Sequence, residues 1–385
     1  MSYRDACPWH LPFRWSLLLG CSGIGLIACA RTSTVPSPAL PSAPVEAGVR
    51  FGAVTLTQRS EAGDLLWKFE AQGVTYGADQ SVAQVNNIQG YLYEQGEPVF
   101  KLQSSRGEVE QEGQRIRLRG AVVATELRHQ VVFRGRDVEW RPESGYLQVR
   151  SGLNVSHPKV QLWAQQLQAF SRTNQIKVQG NVVIEGRQPG IRLKADQAIW
   201  RLETQEVRVG RRHLDRSSPS VDIEQLAPQQ RHRAIAGEVQ LNLRQQQLTL
   251  QDPAQITLVQ PAIMITSQRL IWDLAQQRLR SPQLLEVRHL QQQVDVIAEQ
   301  GLFDQKQQLA QLKGRVEAQG KQNNSRLSSH QLTWNLNTQQ LEALGNVQYQ
   351  QQSPAFALKG QRAIGQIQAQ TIQISGGTVV TEIFP

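Results

Sequence analysis

Beyond residue 29 this chain contains no cysteine. The 385-residue sequence has three, Cys7, Cys21 and Cys29, so disulfides and thiolate-bound zinc are excluded from the rest of the chain. Aromatic residues are also scarce, at 6%, and hydrophobic residues make up only 39%. That composition is thin for a compact globule, but it suits an elongated array of sheets with one apolar face and a large surface per residue.

Sequence patterns that carry chemistry are missing as well. The histidines are dispersed without metal-ligand spacing, and we interpret them as exposed or turn residues: His10, His129, His157, His213, His232, His289 and His330. The alternating Glu108, Glu110 and Glu112 are better explained by a solvated strand face than by acid–base chemistry. We therefore predict no catalysis, no cofactor and no metal, and an active site assembled from distant strands is the alternative that sequence leaves open.

No segment has the sustained 3.6-residue periodicity of a long amphipathic helix. The sequence instead has a repeat of about 31 residues, which is typical of stacked supersecondary units. Its markers, interpreted as the last residues of β-hairpins, are Gly90, Gly120, Gly152, Gly180, Gly210, Asp252, Pro282, Gly314, Gly345 and Gly376. Many of them are preceded by an aromatic residue, as at Tyr76, Trp140, Phe170, Trp200, Trp272, Phe303 and Trp334.

Each repeat is predicted to be a strand, a turn and a strand. Apolar residues fall mostly on alternate positions through residues 176–184 and 191–196, which indicates half-buried strands. The turns between strands are too short for a helix, so neighbouring strands should pair antiparallel. We expect an all-β fold of curled, stacked sheets, in which glycines within strands permit bends or bulges.

The N-terminal segment has the form of an export signal. A basic start precedes an apolar run from Trp15 to Ala28, and Leu26-Ile27-Ala28-Cys29 resembles a bacterial lipobox. We predict a signal peptide over residues 1–28, lipidation at Cys29 and a flexible tether rich in Pro, Ser and Ala over residues 29–48. An uncleaved signal anchor is the alternative, and either form places the body outside the cytoplasm.

A basic segment divides the repeats into five and five. Between Arg211 and Arg233 the repeat spacing lengthens and arginines, histidines and prolines accumulate. We predict a solvated linker over residues 211–233 between a domain at 49–210 and a second at 234–385, and contact of this segment with anionic head groups or a partner protein is the alternative. The formal net charge of +9 suits an anionic membrane surface or phosphorylated glycolipid. Nucleic acid is excluded as a partner by the export signal.

Several segments resemble the LptC family of lipopolysaccharide-export proteins. They are Leu66–Ala71, Val74–Tyr76, Ile88–Tyr93, Ile116–Val122 and Gly180–Val182, and the resemblance is clearest over residues 49–210. The family resemblance implies an elongated antiparallel β-jellyroll, a folded-over OstA-like sheet, here with doubled repeats. With one strand per repeat in each layer and about 4.8 Å between strands, ten repeats predict a groove of roughly 50 Å.

The same resemblance implies a lipid-transfer bridge component that accepts the acyl chains of lipopolysaccharide or a related envelope lipid. Its implied partners are an inner-membrane ABC-type export complex and a periplasmic jellyroll bridge protein. It would be periplasmic and anchored through its N-terminus, at the inner membrane in preference to the outer. The alternative is a structural or glycan-binding envelope lipoprotein without lipid cargo. The predicted groove-lining residues are Ile116, Leu118, Val122, Ile176, Val178, Val182, Ile184, Ile191 and Leu193.

Overall fold

The computed structural model describes residues 49–77, 81–110, 114–188, 190–210, 221–226, 232–352, 355–369, 371–376 and 379–383. The predicted signal peptide, Cys29 and the whole of the predicted tether lie outside the described residues. Within them the chain is almost entirely β-strand, with one short 3-10 helix at Ser171–Thr173. All strands belong to one sheet, and every strand pairing is antiparallel, which confirms the all-β prediction.

The strands of the first half are β1 Arg50–Phe51, β2 Val54–Arg59, β3 Leu65–Ala71, β4 Gly73–Tyr76, β5 Val82–Glu94, β6 Glu97–Glu110, β7 Ile116–Glu126, β8 Val131–Arg141, β9 Tyr146–Val149, β10 Leu153–Ser156, β11 Val160–Ala164, β12 Gln166–Phe170, β13 Gln175–Gly186, β14 Ile191–Arg201 and β15 Glu206–Gly210. Those that follow are β16 Val221–Gln225, β17 Arg233–Asn242, β18 Gln247–Leu258, β19 Ile263–Asp273, β20 Arg278–Ser281, β21 Leu285–His289, β22 Val294–Ala298, β23 Gln300–Asp304, β24 Leu309–Gly320, β25 Ser325–Asn335, β26 Gln340–Gln352, β27 Ala355–Gln366, β28 Thr371–Ser375 and β29 Val380–Ile383.

The sheet is folded over into two layers because its long strands bend in the middle. The first half of β13 pairs with β12, whereas its second half pairs with β11. β14 divides in the same way between β15 and β16. We call the half-sheet that contains β1, β4, β9, β12, β15, β20, β23 and β28 layer 1. The half-sheet with β2, β3, β10, β11, β16, β21, β22 and β29 is layer 2.

Several of the predicted repeat markers lie at these bends. Gly120, Gly180, Gly314 and Gly345 have positive φ, and each coincides with a shift in strand register. A β-bulge at a glycine bends and twists the strand, which is how the sheet turns back on itself. The prediction of bulges at glycines is confirmed here. The interpretation of these four markers as hairpin ends is wrong, because they lie mid-strand.

The true hairpin turns end on a different residue type. Most have four residues, and the last one takes positive φ: Gln130, Asn174, Gln205, Gln246, Gln277, Gln293, Gln308, Asn324 and Gln339. Neighbouring turns also bond to each other, since the N–H of Leu274 donates to the carbonyl of Gln246 at 3.1 Å. The described turns of each layer therefore lie in a row at the edge opposite the bends.

The sheet continues through the predicted linker. Residues 221–225 form β16, which pairs with β14 and β17, and β15 pairs directly with β17. Contacts join residues 46–385 into one compact unit. The division at 211–233 into two domains stays a prediction, and residues 211–220 and 227–231 lie outside the described ones.

Each repeat contributes two strand positions to each layer. From Trp272 to Trp334, two repeats apart, the layer 1 ladder passes through Leu279, Phe303 and Ala310. Ten repeats then give roughly twenty positions, or roughly 100 Å at about 4.8 Å each. The expected 50 Å is therefore wrong by a factor of two.

Candidate functional site

The inner face of layer 1 is a continuous row of apolar side chains next to the turns. Successive members stand opposite each other on paired strands, so the row follows from strand register alone. In order it contains Tyr76, Ala83, Val109, Ile116, Trp140, Leu147, Ala169, Ile176, Trp200, Val207, Leu241, Leu248, Trp272, Leu279, Phe303, Ala310, Trp334, Leu341, Gly365 and Ile372. Most of the repeat aromatics seen in the sequence lie in it.

Layer 2 has a matching inner row. It contains Leu56, Phe69, Gly90, Leu102, Ala124, Phe133, Val155, Leu162, Ile184, Leu193, Ile223, Ala234, Ile256, Ile265, Val287, Val296, Ala318, Leu327, Tyr349, Leu358 and Thr381. The layers pack face to face, as Phe100 of layer 2 and Trp140 of layer 1 show, with ring centroids 5.9 Å apart. The space between the layers is thus lined mainly by apolar side chains along the described part of the sheet.

All nine predicted groove residues are buried between the layers. Ile116, Leu118, Ile176 and Val178 belong to layer 1, and the other five to layer 2: Val122, Val182, Ile184, Ile191 and Leu193. None is more than 2% exposed. The structure therefore brings them into one apolar interior, and their contact with lipid stays a prediction.

Side chains fill much of this interior, but space remains between them. Trp140, Trp272 and Trp334 are among the largest fully buried side chains. Three small cavities of about 10, 30 and 20 Å³ follow one another between the layers, near Phe133, Leu241 and Phe303 respectively. A larger cleft of about 110 Å³ lies at the C-terminal end.

The buried tryptophans also carry an unpaired donor. The indole Nε1 atoms of Trp67, Trp140, Trp200, Trp272 and Trp334 are buried and have no hydrogen-bond partner among the described residues. Burying an N–H group without an acceptor costs free energy, so a repeated case calls for an explanation. An acceptor oxygen on a molecule between the layers would satisfy these groups.

The edge opposite the bends, which we call the seam, is closed by polar contacts between the two rows of turns. Lys159 of layer 2 donates through Nζ to the Gln205 side chain and the Leu243 carbonyl of layer 1, at 3.2 and 3.3 Å. Farther along, Gln246 Nε2 donates to the Gln188 carbonyl at 3.2 Å. Such exposed contacts contribute about 1 kcal/mol or less each. The seam is consequently the weakest connection between the layers.

Three histidines are buried just beneath the seam. His157, His232 and His289 of layer 2 lie against Trp200, Trp272 and Trp334 of layer 1, with ring centroids 5.2, 6.5 and 5.4 Å apart. These three side chains are at most 8% exposed, so the prediction that the histidines are exposed is wrong for them. Each is in phase with the apolar alternation of its strand, as in Leu153, Val155 and His157. That phase is the sequence signal that could have found them.

Burial keeps these histidines neutral. It lowers the pKa of His157 to about 4, with further lowering by the charges of Lys159, His129 and Arg187. The pKa values of His232 and His289 are lowered for the same reason, since burial disfavours the charged ring. In His289 a backbone hydrogen bond opposes part of the effect.

The outer face of layer 1 carries one dense ion cluster. Glu139 is 2% exposed and accepts hydrogen bonds from Arg141 and Arg150, at 2.8 and 3.0 Å, with Arg117 at 3.8 Å. Burial alone would raise the pKa of Glu139. The hydrogen bond and charge of Arg141, with the charges of Arg150 and Arg117, outweigh it and hold the pKa below its ordinary value. The cluster fastens β7, β8 and β9 together from outside.

Within the described ranges, no group of three or more His, Cys, Asp or Glu residues is arranged to hold a metal ion. In that same part of the chain, no helix is both long and apolar enough to cross a membrane. The geometry of the folded part is that of a two-layered apolar interior with a polar seam.

Comparison with known proteins assigns the first part of this interior to a family. Residues 50–183 match the family described as lipopolysaccharide-assembly, LptC-related. This segment is LptC-related. The match confirms the resemblance seen in the sequence and covers six of the nine predicted groove residues. They are Ile116, Leu118, Val122, Ile176, Val178 and Val182, whereas Ile184, Ile191 and Leu193 lie beyond the match.

A solved structure is also similar to part of this chain. It is the crystal structure of LptH, the LptA homologous periplasmic component of the conserved lipopolysaccharide transport device from Pseudomonas aeruginosa. The identity is 15% and the TM-score 0.27, over 31% of this chain and 79% of that one. The search of curated proteins gives no match.

Proposed function

We propose that this protein is a non-catalytic bridge component of lipopolysaccharide export, which holds acyl chains between its two layers and passes them toward the outer membrane. The observation that carries the proposal is the pair of continuous apolar rows, with cavities between them, in a chain whose first part is LptC-related. Transfer along such an interior needs no reacting group. Each CH₂ removed from water contributes about 0.8 kcal/mol, so the apolar rows favour an acyl chain at every position.

The seam supports entry from the side. Lipid can enter a largely filled interior only if the layers move apart, and the polar contacts of Lys159 and Gln246 are the weakest link between them. The unpaired indole N–H groups suit the carbonyl oxygens of ester- or amide-linked acyl chains. Both features favour a lipid with polar linkages over a plain hydrocarbon.

Partners and location follow from the family resemblance. We propose a periplasmic protein, anchored at the inner membrane through Cys29 or through an uncleaved signal segment. An ABC-type export complex would deliver lipid, and a periplasmic jellyroll protein would receive it. At the ends of the described sheet, β2 and β29 each pair with one strand only, β3 and β27. An exposed strand edge of this kind can add a strand from a partner.

A structural or glycan-binding envelope lipoprotein is the second candidate. The observation that favours it is the dense filling of the interior by Trp140, Trp272 and Trp334, which is ordinary core packing. The two candidates differ in one measurable respect. Only the bridge component brings lipid into contact with inward-facing side chains.

Site-specific photo-crosslinking in cells tests the proposal. A photoreactive residue at Leu193, which faces the interior, should label lipopolysaccharide or a related lipid. The matched control is Lys194, the next residue, which is exposed on the opposite face. Val178 provides a second inward position in layer 1. Equal labelling at Leu193 and Lys194, or none at either inward position, would refute lipid transfer through the interior.

Joining the layers across the seam tests the route of entry. Because the chain has no cysteine beyond residue 29, Gln188→Cys and Gln246→Cys can be linked by a bismaleimide reagent. The link should abolish lipid labelling from Leu193. In the control, Gln246→Cys is linked to Gln277→Cys, its neighbour in the same row of turns, and labelling should persist. Undiminished labelling in the first variant would exclude separation of the layers at this seam.

A further inference from the structure

The C-terminal cleft differs from the smaller cavities in size and access. Its free volume is about 110 Å³, against about 10–30 Å³ in each of the smaller cavities, and part of it is continuous with the solvent. Val294, Ala318 and Leu327 of layer 2 form one wall, and Leu341 and Ile372 of layer 1 form the other. The cleft lies outside the LptC-related residues 50–183.

The cleft exists because the layer 1 row loses its large side chain here. The residue two positions before each layer 1 turn lies in the inner row, and it is tryptophan or phenylalanine at Trp272, Phe303 and Trp334. At the next turn the same position is Gly365, paired with Leu341 and Ile372. A missing indole leaves open space that the neighbouring aliphatic side chains do not fill.

The rim of the cleft is polar but uncharged. Gln292 Nε2 donates to the Gln339 side chain across the seam at 3.0 Å, and the Tyr349 hydroxyl donates to Gln351 Oε1 at 2.7 Å. None of the described lining residues carries a charge. Burial raises the pKa of Tyr349, so its hydroxyl stays neutral.

We propose that this cleft is a preformed binding site for a single alkyl chain whose polar head remains at the amide rim. The uncharged lining offers no ion pair for a buried anionic head. A peptide is disfavoured because its backbone N–H and C=O groups would lie against aliphatic walls without partners. An alkyl chain needs no hydrogen bond, and it can continue along the apolar rows that lead from the cleft toward Trp334. The inference rests on the proposed function only for the class of ligand.

Restoring the missing side chain tests this site. A Cβ at Gly365 meets nothing closer than 3.6 Å, and its φ is not positive, so Gly365→Trp can be accommodated. The probe is 11-(dansylamino)undecanoic acid, titrated by fluorescence into the full-length protein. We expect Gly365→Trp to weaken probe binding at least tenfold. Dansylglycine, which lacks the long chain, should bind neither protein.

The control variant is Gly52→Trp, which adds the same side chain at an open surface position and should leave binding unchanged. Ile372→Ala, which widens the cleft, should keep the site open to the probe. Unchanged binding in a folded Gly365→Trp protein would overturn the proposal. The outcome is separable from crosslinking at Leu193: lipid labelling there without probe binding in the cleft would refute this site and leave the bridge function standing.

Discussion

Acidification should loosen the seam through His157. Its pKa is about 4 in the folded protein, against about 6.5 for the same group in an unfolded chain. The unfolded state therefore binds more protons between these values, and folding stability falls as the pH drops through this window. A difference of about 2.5 units corresponds to about 3 kcal/mol, present in full above pH 7 and lost by about pH 4.

The assay compares the native protein with His157→Phe. Phenylalanine can keep the edge-on contact with Trp200 without a titratable group, although it loses the hydrogen bond that Nδ1 accepts from the Lys159 N–H at 3.2 Å. A long array of strands is not expected to unfold in a single transition, so local opening is measured instead. Hydrogen exchange of the backbone amides of β10 and β11, corrected for the effect of pH on the intrinsic exchange rate, reports that opening.

At pH 4.5 the native protein should have lost about 2.5 kcal/mol of local stability relative to pH 7.5, beyond any loss in His157→Phe. His232 and His289 remain in both proteins, so their contribution cancels. The reasoning is refuted if both proteins lose protection equally over this range, because burial of His157 would then place no penalty on its protonation.

Three further perturbations probe the bends, the interior and the outer face. Trp272→Ala should lower local stability by about 3–5 kcal/mol, measured by hydrogen exchange of β18 and β19. Trp272→Phe should cost clearly less because its ring still fills much of the space, and equal costs would contradict this account. Gly180→Ala should lower the local stability of the bend by about 1–2 kcal/mol, because Gly180 has a φ of +80°, and should increase cleavage in limited proteolysis. Gly210→Ala, where an added Cβ has no close neighbour, should leave cleavage nearly unchanged. Glu139→Gln should destabilise the protein most at low salt, and a loss independent of salt would argue against repulsion among its arginines.

Alternation alone was enough to predict the inner faces. All nine predicted groove residues point between the layers, because a strand with one buried face must place every second side chain there. The same rule applies to His157 and His289, which share the phase of Val155 and Val287. Residue type alone predicts exposed histidines, whereas their phase on the strand predicts burial.

The bends and turns were harder to predict. Glycine suits both a mid-strand bulge and a hairpin end, so Gly180 by itself does not distinguish them. The hairpin turns instead place glutamine at positive φ, as at Gln246 and Gln277, a residue type that turn rules do not favour. The cleft at Gly365 depends on contacts between distant strands, which no local pattern reports.

The fold separates backbone pairing from the composition of the interior, which suits the proposed carrier. Backbone pairing holds the neighbouring strands of each layer together regardless of which side chain faces inward. The residues of the inner rows can therefore differ, as Trp334 and Gly365 do, without loss of strand register. Large residues close the interior at some positions and glycine opens it at another. Since the hydrogen-bond ladder continues unchanged past each position, the depth available to a ligand is set by the side chains of the rows, one strand at a time.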